Sequence, residues 1–155
     1  MRARTWLAAV VLMVQAACAS NPNAPGQTGP VRLVAHIDRI QIASGAVATA
    51  TFRIENDSAQ TVTMHFNSGC QILPFIARQP SGQVVYPADG GWVCTLALTE
   101  ITLPPGGAAI REVTVVNGPS QRELVGLAPG HYVFFARIQS QEYTLESPRV
   151  TLQVL

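Results

Sequence analysis

The chain has 155 residues, room for one domain of ordinary size and not for two comfortable ones. Hydrophobic residues make up 48% and charged ones only 12%, about half the usual charged share. Ten arginines, no lysine and nine acids leave a formal charge of +1, which excludes the basic stripe of a nucleic-acid surface and a charge-rich disordered chain.

Arg2 and Arg4 precede an apolar run from Trp6 to Val14, followed by Gln15-Ala16-Ala17-Cys18-Ala19-Ser20. A basic start, a short apolar stretch and small residues form the pattern of a secretory signal peptide, here residues 1–17. The run is shorter than the roughly 20 residues that a membrane-spanning helix needs. Ala16-Ala17-Cys18 resembles the bacterial lipobox, in which the cysteine is lipidated and becomes the mature N-terminus; Gln15 stands where that pattern carries an aliphatic residue. Lipidation of Cys18 would anchor the chain to a membrane, with ordinary cleavage after Ala19 as the alternative. Ala19 is not the aspartate that holds such lipoproteins at the inner membrane, so an outer-membrane destination stays open. Residues 18–30, with Asn21-Pro22-Asn23-Ala24-Pro25-Gly26, have no apolar period and are expected to form a flexible tether. Processing at Cys18 removes two of the ten arginines, leaving eight against nine acids, a charge of −1.

From residue 31 onward the apolar period is two. A weaker strand candidate spans 31–42. Ala48, Ala50, Phe52 and Ile54 then alternate with Thr49, Thr51, Arg53 and Glu55, as in a half-buried strand. Asn56-Asp57-Ser58 makes a turn, since Asn and Asp side chains bond nearby backbone and tolerate the left-handed region. Val62, Met64 and Phe66 carry the next strand, and further candidates lie at 71–78, 83–86, 92–103, 108–116 and 131–138. Val150, Leu152 and Val154 form the last. Pro80-Ser81-Gly82, Asp89-Gly90-Gly91, Pro104-Pro105-Gly106-Gly107, Asn117-Gly118-Pro119 and Pro129-Gly130 separate them. Eight or nine short strands with no amphipathic helix predict an all-β, immunoglobulin-like antiparallel sandwich over residues 31–155.

Three cysteines leave an odd one unless Cys18 is lipidated, and Cys70 and Cys94 then form a pair suited to an oxidising compartment. Their bridge would close a loop of about 24 residues, worth roughly 3 kcal/mol in the chain-entropy view. A metal site using His65 with the two cysteines lacks a fourth ligand and the paired Cys-x-x-Cys spacing. Strand parity places Cys70 in the inward phase of Phe66, and Cys94 on one face with Trp92 and Leu96, so both sulfurs are expected inside. Trp92 either packs over the bridge or anchors a partner. Tyr132, entering a strand after Pro129-Gly130, resembles the tyrosine corner of immunoglobulin-like sandwiches. Phe135 and Val133, opposite in phase to Tyr132 and Phe134, put apolar area on an outer face, to be covered or offered to a partner. The polar stretch 117–123 is a further loop candidate.

Residues from about 47 to 138 resemble the intracellular proteinase inhibitor (BsuPI) domain family. Asn56-Asp57-Ser58 leads into Val62-Thr63-Met64-His65-Phe66-Asn67-Ser68-Gly69-Cys70-Gln71, similar to that family's apolar strand ending in Phe-x-Ser-Gly-x-Gln. Pro80-Ser81-Gly82 with Val84-Val85-Tyr86, Leu103-Pro104-Pro105-Gly106 and Leu127 to Tyr132 follow in the family's order. The family's middle segment is commonly Trp-rich and ends in Ser, where this chain has Tyr86 to Trp92. The family also usually carries a Trp near the end of the strand that here reads Arg111 to Val116. The cysteine pair is not a feature of the pattern. The resemblance implies a sandwich fold and a serine-protease partner.

No Gly-x-Ser-x-Gly, paired-carboxylate spacing, Walker loop or His-Glu-x-x-His occurs. His36, His65 and His131 fall on outward phases. No catalytic residue, metal ligand or cofactor is therefore expected. The sequence predicts a non-catalytic protein-binding module of the cell envelope, with a proteinase inhibitor of the BsuPI type as the sharper form. A structural or assembly lipoprotein without inhibitory activity is the alternative.

Overall fold

The computed structural model describes residues 29–88, 91–121 and 123–155. The signal peptide, Cys18 and nearly all of the tether lie outside them. Among the described residues twelve strands run as β1 (Val31–Ile37), β2 (Gln41–Ile42), β3 (Val47–Asn56), β4 (Val62–Phe66), β5 (Leu73–Gln79), β6 (Val84–Tyr86), β7 (Thr99–Leu103), β8 (Ala108–Asn117), β9 (Val125–Leu127), β10 (Gly130–Gln139), β11 (Thr144–Glu146) and β12 (Val150–Val154). Among the described residues no helix is long and apolar enough to cross a membrane.

Two sheets face each other, one ordered β1-β3-β8-β9 and the other β2-β12-β10-β5-β6, with β11 beside β10. The alternation in β3 decides the packing: Ala48, Ala50, Phe52 and Ile54 are fully buried, while Arg53 is exposed and its other outward neighbours are half-covered. Across the interlayer they join Ile76, Tyr132, Phe134, Ala136, Ile138 and Leu152 in one apolar core. A separate pair, β4 with β7, sends Met64, Phe66 and Leu103 into the same core. The small Ala48 and Ala50 beside Phe52 let large side chains from the facing sheet interdigitate, as close packing requires.

The all-β sandwich expected from the period-two pattern is what forms. It is not wholly antiparallel, because β2 pairs β12 and β8 pairs β9 in parallel. Both parallel partners are two or three residues long, too short to show an alternation. The 31–42 candidate splits into β1 and β2, and only Thr99–Leu103 of the 92–103 candidate is a strand.

Asn56 ties the layers together at one end. Its side-chain amide donates to the carbonyls of Gln60 (2.7 Å), Leu103 (2.9 Å) and Pro104 (3.1 Å), and its oxygen accepts from the Ser58 amide and hydroxyl. Its backbone also exchanges bonds with Gly106 and Gly107. A turn read from local chemistry is thus also a buried clamp between two connections. At the opposite corner the Tyr132 hydroxyl donates to Ala128 O at 2.8 Å.

β10 buries both faces. Outside the sandwich, Val133 and Phe135 form a small second cluster with Ala77, Phe75 and Val84. The Phe75 and Phe135 rings stack at 5.2 Å, and the Arg149 guanidinium lies 4.5 Å above Phe135. Arg137 stands 5.3 Å from both rings, and Glu146 bonds both guanidiniums. Burial opposes ionisation of Glu146, but the bonds from Arg137 and Arg149 outweigh it and hold its carboxyl below the ordinary value. Phe135 is 4% exposed, so of the two readings of this outer face, covered or offered to a partner, the covered one holds, with these arginines and not a strand as the roof.

Candidate functional site

Between β6 and β7 the chain leaves the sheets. Residues 91–98 pair with no strand, and three of their side chains stand almost wholly in water: Val93 at 99%, Leu96 at 101% and Leu98 at 84%. Three large apolar residues at that exposure on one short loop make it the candidate site.

The loop is nonetheless held firmly at its base, and the bracing comes from the segment after β4. The Thr99 hydroxyl donates to Ser68 O at 2.7 Å. The Gly69 amide donates to Thr95 O at 3.0 Å. Cys70 is bonded to Cys94, with Cα atoms 5.4 Å apart. The Gln71 side-chain amide Nε2 donates to Glu100 O at 3.3 Å. Residues 68 to 71 therefore each grip the run from 94 to 100. The Ser68–Gly69 peptide is central: a trans peptide aims its C=O and N–H in opposite directions, so one unit holds Thr99 on one side and Thr95 on the other. A Cβ at position 69 would meet the Thr95 hydroxyl, which would have to turn aside, while the nearest Thr95 backbone atom stays 3.9 Å away.

The bridge links the two cysteines named from their count, but not in the place that parity suggested. Both sulfurs were expected inside, on the face of Trp92 and Leu96. Instead both cysteines are half-covered at the edge of the sandwich, and Leu96 points into solvent. Parity fails because alternation governs side chains only within a paired strand, and 91–98 is not one. Trp92 is half-buried and meets Tyr86 edge-on at 5.3 Å. It borders a hollow with Cys70, Ile72, Ile101 and Arg111. Its indole nitrogen is buried with no hydrogen-bond partner among the described residues. Trp92 thus buttresses the foot of the loop and does not lie in the sandwich core.

The neighbouring edge is closed by a second device. Glu142 accepts from the His65 backbone amide at 2.9 Å and lies 2.7 Å from His65 Nδ1, and Gln141 N donates to His65 O. These bonds, the backbone one first, hold the Glu142 carboxyl down to about 2. The turn between β10 and β11 thereby caps β4, the strand that carries the Ser68–Gln71 cradle.

The chain matches the family described as intracellular proteinase inhibitor (BsuPI) over residues 39–143. The chain belongs to that family. The matched span contains both the cradle and the loop that it braces, and the family-like Phe66-x-Ser68-Gly69-x-Gln71 segment is the cradle itself. No curated protein matches the chain. Among solved structures, the CARDB domain of a Pyrococcus furiosus protein is similar at 11% identity and TM-score 0.45, covering 81% of this chain and 95% of that one. The sporulation control protein Spo0M of Bacillus subtilis is similar at 9% identity and TM-score 0.45, over 81% of this chain and 49% of that one. A β-glucosidase of Erythrobacter marinus shows 12% identity and TM-score 0.44; 81% of this chain spans only 15% of its length.

Proposed function

We propose that this BsuPI-family protein is a non-catalytic proteinase inhibitor that works outside the cytoplasm, anchored through a lipid on Cys18, and that residues 91–98 are its protease-binding loop. The observation that carries the reading is the combination of extreme exposure at Val93, Leu96 and Leu98 with a base gripped by Ser68, Gly69, Cys70 and Gln71. A loop that enters a protease cleft must present side chains to the enzyme and lose little freedom on binding; pre-organisation of this kind supplies affinity by cutting the ordering cost. The Cys70–Cys94 bridge suits the oxidising compartment that the N-terminal residues suggest.

Titration of the oxidised full chain against a panel of subtilisin-like, chymotrypsin-like and trypsin-like proteases tests the activity. Saturable loss of proteolysis near one-to-one is expected. A chain that remains intact yet inhibits none of them supports instead an assembly lipoprotein that inherits the sandwich alone. The anchor is tested by palmitate labelling in a bacterial host: label on the wild-type chain, absent from Cys18→Ser, is expected. Equal labelling of both would remove Cys18 from the reading.

A further inference from the structure

Resting on the inhibitory reading, we infer that Leu96–Ala97 is the reactive peptide bond of this loop, that Leu96 fills the primary-specificity pocket of the target, and that the target is a serine protease whose pocket is apolar. Three observations single out Leu96. It is the most exposed large apolar residue described, and the chain bends at it. Leu98, by contrast, lines a hollow with His65, Phe66 and Gln141 and so turns partly toward the body. Val93 lies beyond Cys94, outside the stretch held between Thr95 and Thr99. No hydrogen bond among the described residues engages the Leu96 N–H or C=O, whereas the Thr95 carbonyl is committed inward to Gly69. Leu96 therefore keeps its backbone groups for a protease to pair with.

The anchoring explains how such a bond inhibits instead of being consumed. The protease serine oxygen would add to the Leu96 carbonyl carbon, its proton passing to the enzyme's histidine and then to the Ala97 nitrogen as the Leu96–Ala97 bond breaks. In a flexible substrate the new amine diffuses away and water takes its place. Here Ala97 is two residues from Thr99, which is bonded to Ser68 O and paired to Phe66 in the β4–β7 ladder. The acyl side is held one residue away by Thr95 on Gly69, and two away by Cys94 on Cys70. Both new ends thus stay fixed to the same Ser68–Gly69 peptide. The amine remains beside the acyl carbon at high effective concentration, and the reverse reaction re-forms the bond with the proton returning to the serine. A leucine side chain suits an apolar pocket; trypsin, with an acid at the base of its pocket, gains nothing from it.

The test uses the oxidised full chain with chymotrypsin, subtilisin and trypsin. Wild type should inhibit the first two and spare trypsin. Leu96→Arg should weaken chymotrypsin inhibition by about 100-fold or more, since the pocket gives the charge no partner, and should acquire trypsin inhibition. Because Leu96 touches little of the fold, the thermal midpoint of the variant should match wild type, and Ile40→Ala, an exposed apolar change outside the loop, should alter inhibition less than about 3-fold. Prolonged incubation should yield one nick, after Leu96, in a chain that still inhibits. Inhibition by wild type that is unchanged in Leu96→Arg, or a nick elsewhere, would overturn the Leu96 assignment and leave the inhibitory reading standing. Absence of inhibition by wild type would overturn both.

Discussion

Replacing Asn56 with aspartate changes one NH2 group to an oxygen and leaves shape almost untouched, so it isolates the hydrogen bonds of a single buried side chain. The amide donates to Gln60 O, Leu103 O and Pro104 O, and only the bond to Leu103 is fully buried. The variant turns those three acceptors toward another acceptor. Leaving the buried Leu103 carbonyl without a donor costs about 2 kcal/mol, and the two part-buried carbonyls, which water can reach, about 0.5 kcal/mol each. The sum is about 3 kcal/mol, a large share of the 5–15 kcal/mol (roughly) that holds an ordinary domain. At about 4 °C per kcal/mol for a domain of this size, the thermal midpoint should fall by about 12 °C. The oxygen that accepts from Ser58 survives, so the turn keeps its shape and the loss belongs to the clamp. The pH dependence has a definite sign. Burial and facing carbonyls raise the folded-state pKa of the introduced carboxyl above its unfolded value near 3.9 (about). The deficit should therefore be small below that value, where the protonated acid still donates one bond, and grow as pH rises through the folded pKa. Urea unfolding of wild type and Asn56→Asp at neutral pH and at about pH 3.5, just below the unfolded carboxyl pKa, checks both. A difference below about 0.5 kcal/mol at pH 7 would refute the clamp.

Tyr132→Phe removes the bond to Ala128 O from a buried ring and should cost about 1 kcal/mol in denaturant unfolding; no measurable loss would make the corner ornamental. Phe135→Ala should cost about 3 kcal/mol through lost packing against Phe75 and Arg149 while leaving protease inhibition unchanged; the reverse pattern would return that face to partner binding. Glu142 should titrate by carbon-detected NMR with a midpoint about 2, below the ordinary 4.5. Its depressed pKa means that its support for the β4 edge is present above the unfolded value and is lost as pH falls toward 2. A midpoint near the ordinary value would mean that the His65 contact does not persist in solution.

The exposed loop itself was the least legible part of the chain. Val93, Leu96 and Leu98 read in sequence as the first half of the 92–103 strand candidate, because apolar residues at alternate positions such as Leu96 and Leu98 look the same in a strand and in an exposed loop. Only the pairing of β7 from Thr99 onward, with nothing to pair 91–98, turns them outward. The signal available was Gly69: an isolated glycine after an apolar strand marks a close backbone approach, but it does not say what approaches. Phe135 was ambiguous for a related reason, since the arginines that cover it come from β10 itself and from the residue before β12.

The amino-acid sequence by itself determined the period-two alternation, the turns that punctuate it, the cysteine pair and the family-like segment from Phe66 to Gln71. Those are local properties, set by which side chains alternate and which residues tolerate a turn. Tertiary structure alone decided that this segment becomes a cradle, that the bridge sits at an edge, and that Leu96 faces water. Each of these depends on which strand finds a partner, a competition among distant segments for hydrogen bonds and apolar cover that no short window of sequence contains.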